Sequence, residues 1–354
     1  MRELLRKNIL NLKPYVSARS LKTKGEIFLD ANEGPAELIK GISCSRYPEP
    51  QPEELLELLG EYYGVNSENM LMARGSDEII DLIYKMYCEP GYDQVIINPP
   101  TYGMYKVCAD IAGVEVVEIP MLPKKNSFEL DNPSIVSNTD RYTKCVFICS
   151  PNNPTGGVIE VAQLVDLLDR LGERCMVVVD EAYEEFSSGS GAISLLPRYK
   201  NLIVLRTLSK AFGLAGLRIG IAVAQQEVIE VMRKVIAPYP IATPVAEMAK
   251  KFLLQGGIEN MLEQNQKTCQ IRDQFAKDLS ELKITQQVFT SQSNFLLVRL
   301  SNAKKVMQDV LSKGIVLRDF SHLPQLENCL RISIGDPDQM CRLYGILKNI
   351  SETV

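Results

Sequence analysis

Between about residues 70 and 225, short apolar runs rich in β-branched residues alternate with stretches whose apolar positions recur at helical spacing. The runs 94–98, 114–119, 145–149, 176–179, 202–205 and 219–223 are largely continuous in their hydrophobicity, as strands covered on both faces are. Within 161–171, Val161, Leu164, Val165, Leu167, Leu168 and Leu171 share one helical stripe. A helix between two such strands supplies the crossover that parallel pairing requires. The pattern predicts an α/β domain built on a largely parallel sheet.

The segment 237–244, Ala-Pro-Tyr-Pro-Ile-Ala-Thr-Pro, breaks this alternation, and a long helical pattern follows from 245 to about 279. Strand patterns at 294–298 and 331–334, with helical patterns at 303–313 and 337–350, predict a second, smaller α/β unit. The first 45 residues carry several Lys and Pro and little periodicity. They are expected to form an arm that packs on the small unit or on another subunit. The expected division is therefore an arm at 1–45, a large domain at 46–238, and an interdomain helix with a small domain at 239–354.

A chain of 354 residues with 45% hydrophobic content can bury a large core. A net charge of -5 leaves no broad basic field, so a nucleic-acid partner is not expected. Nine cysteines without a Cys-x-x-Cys pair predict a reducing compartment rather than a disulfide framework or a zinc site. The charged opening Met1-Arg-Glu-Leu-Leu-Arg-Lys7 and the lack of any run of about 20 apolar residues predict a cytoplasmic protein with no membrane partner. Chemistry based on a histidine or a metal has little to work with, because His322 is the sole histidine. Lys, Tyr, Asp and Arg remain.

Three polar positions stand at or just past the C-terminal ends of apolar strands: Asn153 after 145–149, Asp180 after 176–179 and Lys210 after 202–205. In open α/β sheets that edge binds ligands. Singly, each has a plain structural reading, since Asn-Pro-Thr-Gly is a turn and an Asp ending a strand can cap a helix. Together they match what pyridoxal phosphate needs, namely a lysine for its aldehyde, an acid for its ring nitrogen and a donor for its phenolate oxygen. Tyr183 is a second phenolate donor or a packing ring. Tyr102 lies against the pyridine or covers the core. Gly75, Ser76 and Asp77 precede an amphipathic run and offer backbone donors from a helix N-terminus to the phosphate. Thr207, Ser209 and Arg218 add hydroxyls and a positive charge, and Arg218 also helps to lower the pKa of Lys210.

The blocks Ser150-Pro-Asn-Asn-Pro-Thr-Gly156, Asp180-Glu-Ala-Tyr183 and Ser209-Lys-Ala-Phe-Gly-Leu-Ala-Gly-Leu-Arg218 resemble the signatures of the fold-type I, class II aminotransferases. A narrower likeness is to the members acting on histidinol phosphate in histidine biosynthesis. It rests on Asp30-Ala-Asn-Glu33, Ser45-Arg-Tyr-Pro-Glu-Pro-Gln-Pro52, Gly75-Ser-Asp-Glu78, Ala237-Pro-Tyr-Pro240, Val316-Leu-Arg-Asp319 and Cys329-Leu-Arg-Ile332. Gly34 departs from the pattern, where a bulkier residue is common. The resemblance implies a large domain with a mostly parallel seven-stranded sheet, a smaller α/β domain and an N-terminal arm. It implies a homodimer with shared active sites, in which Tyr47 reaches the neighbouring subunit's cofactor phosphate. It further implies that Asn32 and Arg331 contact substrate, that Arg331 takes the carboxylate of glutamate or 2-oxoglutarate, that Arg318 joins Arg331 on the phosphate of L-histidinol phosphate, and that Tyr15 helps close the pocket. The alternative for both arginines is an ion pair with Asp319 or Asp336. An aminotransferase for aromatic amino acids and a threonine-phosphate decarboxylase of the same fold are the competing activities.

Overall fold

Seven strands form the central sheet of the computed structural model, which describes residues 2–21, 25, 27–39, 41, 44–189 and 191–353. They are β1 (Met70–Arg74), β2 (Gln94–Ile97), β3 (Glu115–Glu118), β6 (Thr143–Cys149), β7 (Met176–Asp180), β8 (Leu202–Thr207) and β9 (Ile219–Ala224), while β4 (Leu122–Pro123) and β5 (Phe128–Glu129) make a separate hairpin. The order across the sheet is β1-β9-β8-β7-β6-β2-β3. From β8 to β3 every pair is parallel, whereas β9 runs antiparallel to both β8 and β1. The periodicity could not show this reversal. Its cause is the connection 208–218, which holds only the short 3-10 turn Ala215–Leu217 and no helix that could carry a crossover.

Helices cover both faces. The arm holds α1 (Lys7–Leu10); α2 (Glu53–Tyr63), α3 (Ser76–Tyr87), α4 (Met104–Ala112), α5 (Asn132–Ser137), α6 (Val161–Leu171) and α7 (Gln226–Val235) follow. In α3 the residues Ile79, Ile80, Ile83 and Met86 are fully buried, so the predicted stripe is the face that docks on the sheet. The helix predicted from 245 to 279 is two helices, α8 (Thr243–Leu254) and α9 (Gly257–Ser280). Gly256 between them takes the left-handed conformation (φ 75°), and a Cβ on Gly257 would strike the backbone of Phe252, so this Gly-Gly pair turns the chain where the apolar spacing alone reads as continuous.

The small unit carries α10 (Ala303–Ser312), α11 (Pro337–Glu352) and a four-stranded sheet of β10 (Thr285–Val288), β11 (Phe295–Leu300), β13 (Cys329–Ser333) and β12 (Arg318–Asp319), in that order. All its pairs are antiparallel, so the small unit combines these helices with an antiparallel sheet. Phe289, just past β10, joins Phe295, Leu297 and Cys329 of this sheet in the apolar cluster that includes Tyr183 and Phe212 of the large sheet's edge, so the two sheets share a core next to the polar edge formed by β6, β7 and β8. Among the described residues no helix is long and apolar enough to cross a membrane.

Candidate active site

Asp180 ends β7 and is buried. One of its oxygens accepts the Tyr105 hydroxyl at 2.8 Å and the other accepts the Ala182 N–H at 3.2 Å. Burial pushes this carboxyl up to about 6, with the Tyr105 and Ala182 hydrogen bonds pulling downward. Lys210 follows β8 and is accessible to solvent, with its Nζ 5.5 Å from the centre of the Tyr183 ring. Partial burial of the amine, followed by the charge of Arg331, lowers its pKa; Asp77 and Asp180 act in the opposite sense and Arg218 adds to the lowering. A lysine held below its ordinary range is a better base and nucleophile at neutral pH.

Tyr183 is buried beneath Lys210 and meets Phe295 edge to face at 5.2 Å. Burial raises its hydroxyl, so it stays protonated and can donate. Asn153, also buried, accepts from Arg331 Nη1 at 2.6 Å through its Oδ1, which leaves the amide NH2 to donate elsewhere. The Arg331 guanidinium lies 5.2 Å from the centres of both Phe295 and Phe320, and its Nε is buried with no partner. Register pairs Arg331 with Arg318 across β12 and β13, which brings two positive side chains to one edge of the small sheet. Neither arginine takes the ion-pair alternative: Asp319 accepts Ser321 N–H, and Asp336 caps α11 in a capping box.

At the start of α3, Gly75 has φ 82° and its N–H is already given to Ala73 O, so the free first-turn donors come from Ser76 and Asp77. No side chain caps this helix. Gly75 contributes space, because a Cβ there would strike the Arg218 guanidinium, and a Cβ on Gly220 would strike the Gly75 and Ser76 backbone. Arg218 Nη1 reaches Ser209 Oγ at 3.3 Å, and its Nη2 is 3.6 Å from Asp77. Thr207 is buried with its hydroxyl bonded to Ile219 O and accepting Ser209 N–H, so it shapes the loop and presents Ser209 rather than pointing a free donor outward. Tyr102 donates to Asp77 at 3.0 Å and stands edge-on to Tyr105.

Tyr15, Asn32 and Tyr47 are not in this cluster. Tyr15 and Asn32 lie on the arm and Tyr47 just past it; Tyr15 and Tyr47 are exposed, with Tyr47 stacked on Tyr239 at 4.8 Å. Asn32 takes a left-handed φ of 55°. The arm's organiser is Glu33, which the sequence offered only as part of the Asp30–Glu33 block, without a role of its own. Glu33 accepts Arg19 at 2.6 Å, Arg46 at 2.7 Å and the Tyr47 N–H at 2.7 Å. Burial would raise its carboxyl, but the hydrogen bonds from Arg46, Tyr47 and Arg19 outweigh that and hold it near 2. A folded pKa below the ordinary 4.5 means that Glu33 adds stability above pH 4.5, less as the pH falls, and none below about 2. Glu33→Gln is expected to melt below the wild type at neutral pH, with the gap closing on acidification. A gap that does not change with pH would contradict this.

Tyr105, Phe295 and Phe320 were also missed, since a tyrosine or phenylalanine in an apolar stretch reads as core. Their meaning comes from partners on other elements, Asp180 for Tyr105 and Arg331 for the two phenylalanines.

The chain matches the family model for aminotransferase class I and II over residues 26–347. It is 43% identical over 350 residues to the histidinol-phosphate aminotransferase of Buchnera aphidicola subsp. Schizaphis graminum (strain Sg), covering 98% of each chain. Its fold is similar to that of the histidinol-phosphate aminotransferase of Sinorhizobium meliloti in complex with pyridoxal-5′-phosphate, with a TM-score of 0.78 and 23% identity over 87% of this chain and 83% of that one. It is also similar to L-threonine-O-3-phosphate decarboxylase from Porphyromonas gingivalis, with a TM-score of 0.73 and 22% identity over 87% of this chain and 91% of that one. These two structures speak to fold alone.

Proposed function

The chain belongs to the class I and II aminotransferase family, and from that premise we propose that it exchanges an amino group between L-histidinol phosphate and 2-oxoglutarate, giving 3-(imidazol-4-yl)-2-oxopropyl phosphate and L-glutamate, with pyridoxal 5′-phosphate as its cofactor. The observation that carries this reading is the convergence of Lys210, buried Asp180 and the Arg331–Asn153 pair at one sheet edge, beside an uncapped helix N-terminus flanked by Arg218.

The residues fit this cofactor. The Ser76 and Asp77 amides, Ser209 and Arg218 would hold its phosphate, in space kept clear by Gly75 and Gly220. Asp180 would keep the ring nitrogen protonated, Asn153 and Tyr183 would donate to the phenolate oxygen, and Tyr102 would lie against the ring. When bound, the protonated ring is an electron sink for the charge left as Cα loses its proton. Lys210 would be the residue that carries the cofactor's aldehyde and, once exchanged for the incoming amino group, the amine placed to accept the Cα proton and return it. Its lowered pKa suits an amine that must alternate between acceptor and donor.

Arg331 serves both half-reactions, because its planar fork accepts a carboxylate or a phosphate. Arg318 beside it adds charge for the phosphate. Two phenylalanine faces and Asn153 already fix the Arg331 guanidinium, so little ordering is needed when the anion arrives. Arg331→Gln is expected to lower kcat/KM by about 100-fold for L-histidinol phosphate and 2-oxoglutarate alike. Loss toward only one of them would contradict the shared role.

The same reading makes the active form a homodimer, with Tyr47 of one subunit on the partner's cofactor phosphate and Tyr15 and Asn32 of the arm closing the substrate pocket. Supporting it are the exposed arm side chains Tyr15, Val16, Ile27, Leu29 and Leu38, an apolar surface that a second subunit would cover. The test of the whole proposal is turnover of L-histidinol phosphate with 2-oxoglutarate, set beside phenylalanine and threonine phosphate. A clear preference for either of the other two replaces the proposed substrate.

A further inference from the structure

We propose that Tyr105 is a positioning residue for the reaction, clamping the Asp180 carboxylate through its hydroxyl so that the acid meets the cofactor's ring nitrogen ionised and in one orientation. This rests on the cofactor reading above and extends it to a side chain that would not touch the cofactor.

Tyr105 is fully buried and fixed at three points. Its ring stacks on Phe147 at 5.2 Å, Phe147 stacks on Tyr84 at 5.3 Å, and the Tyr84 hydroxyl donates back to the Tyr105 carbonyl at 2.7 Å. A hydroxyl on a ring held this way has almost no freedom, and it lies 2.8 Å from Asp180 Oδ2. With Ala182 N–H on the second oxygen, each carboxylate oxygen has a donor from a different element, and rotation about the Cβ–Cγ bond is stopped. Two fixed donors favour the charged form of a buried acid that would otherwise take up a proton. Tyr105 is itself kept protonated by burial, then by the charge of Asp180, so it remains a donor at every working pH.

The other groups facing Asp180 cannot replace it. Lys210 is committed to the cofactor aldehyde, Asp77 is of like charge, the Cys149 thiol is a weak donor, Tyr183 faces the phenolate oxygen, and Tyr102 already donates to Asp77. The start of α4 thus presents Tyr105 to the acid, while Tyr102, in the turn just before the helix, would lie against the ring. The rival explanation is that Asp180 is only the acceptor that any buried tyrosine hydroxyl needs.

The experiment separates the two by the ring nitrogen. Apoprotein of the wild type and of Tyr105→Phe is titrated with pyridoxal phosphate and with the analogue whose ring nitrogen is replaced by C–H. The variant is expected to weaken pyridoxal phosphate by about tenfold while leaving the analogue within about twofold, because removing a hydrogen bond to a charged group matters only where that charge is used. In the holoenzyme, kcat should fall by about tenfold or more with KM for L-histidinol phosphate little changed. Equal weakening of both ligands, or of neither, overturns the proposal. If the wild type itself binds no pyridoxal phosphate, the cofactor reading fails first, and that result is distinct. Should Tyr105→Phe not fold, 3-fluorotyrosine at 105 keeps the shape and strengthens the donor, so it should tighten pyridoxal phosphate selectively; no selective change overturns the proposal as well.

Discussion

Alanine in place of Lys210 is expected to lower turnover with glutamate and 2-oxoglutarate by about ten-thousandfold or more, while cofactor binding survives in weakened form. Among the described residues, no second amine occupies the place of Lys210 above Tyr183: the neighbouring positive groups are Arg218 and Arg331, whose guanidinium groups stay protonated and cannot take a proton from Cα. The variant keeps Asp180, the α3 N-terminus, Ser209 and Arg218, so the ring nitrogen and phosphate still have their partners. The loss therefore belongs to proton transfer and to exchange at the aldehyde carbon, the step by which the amino product is also freed. Repeated turnovers by Lys210→Ala at more than a hundredth of the wild-type rate would exclude this role.

Asp180→Asn is the second large effect, with an expected loss of about 100- to 1000-fold in kcat and less than about tenfold in cofactor affinity. The substitution keeps the shape of a fully enclosed side chain, so no cavity forms and the Tyr105 ring column is undisturbed. What it removes is negative charge. An amide cannot keep a proton on the ring nitrogen, so the ring draws electrons less strongly as the Cα proton leaves. Phosphate contacts are untouched, which is why binding should suffer less than chemistry. Equal losses in kcat and in affinity would place Asp180 in binding rather than in the chemical step.

How much of this was legible in the sequence depended on whether the signal was local. The strands and the polar residues just past them were readable, because a buried strand writes its hydrophobicity in consecutive positions and Asn153, Asp180 and Lys210 interrupt that pattern. The antiparallel course of β9 was not, since strand direction follows from the connection and not from the strand's own residues. The division between α8 and α9 was missed because heptad-like spacing continues on both sides, and only the left-handed backbone at Gly256 ends the first helix. Arg206 was outside the predicted strand, yet it is buried at the end of β8, where Glu181 at 2.7 Å and Glu185 at 3.2 Å make its charge tolerable. Tyr105 and Glu33 escaped for a related reason. Neither shows a role in its own stretch of sequence, and the meaning of each comes from distant partners, namely Asp180 at the end of β7 and Arg46 beyond the arm.

The account stands on Lys210 as the residue that carries the cofactor. Borohydride reduction of the holoprotein, followed by digestion and peptide mapping, tests this directly. The result expected is a single cofactor-labelled peptide with the modification on Lys210. A label on any other lysine, or a protein that acquires none under saturating pyridoxal phosphate, would contradict it.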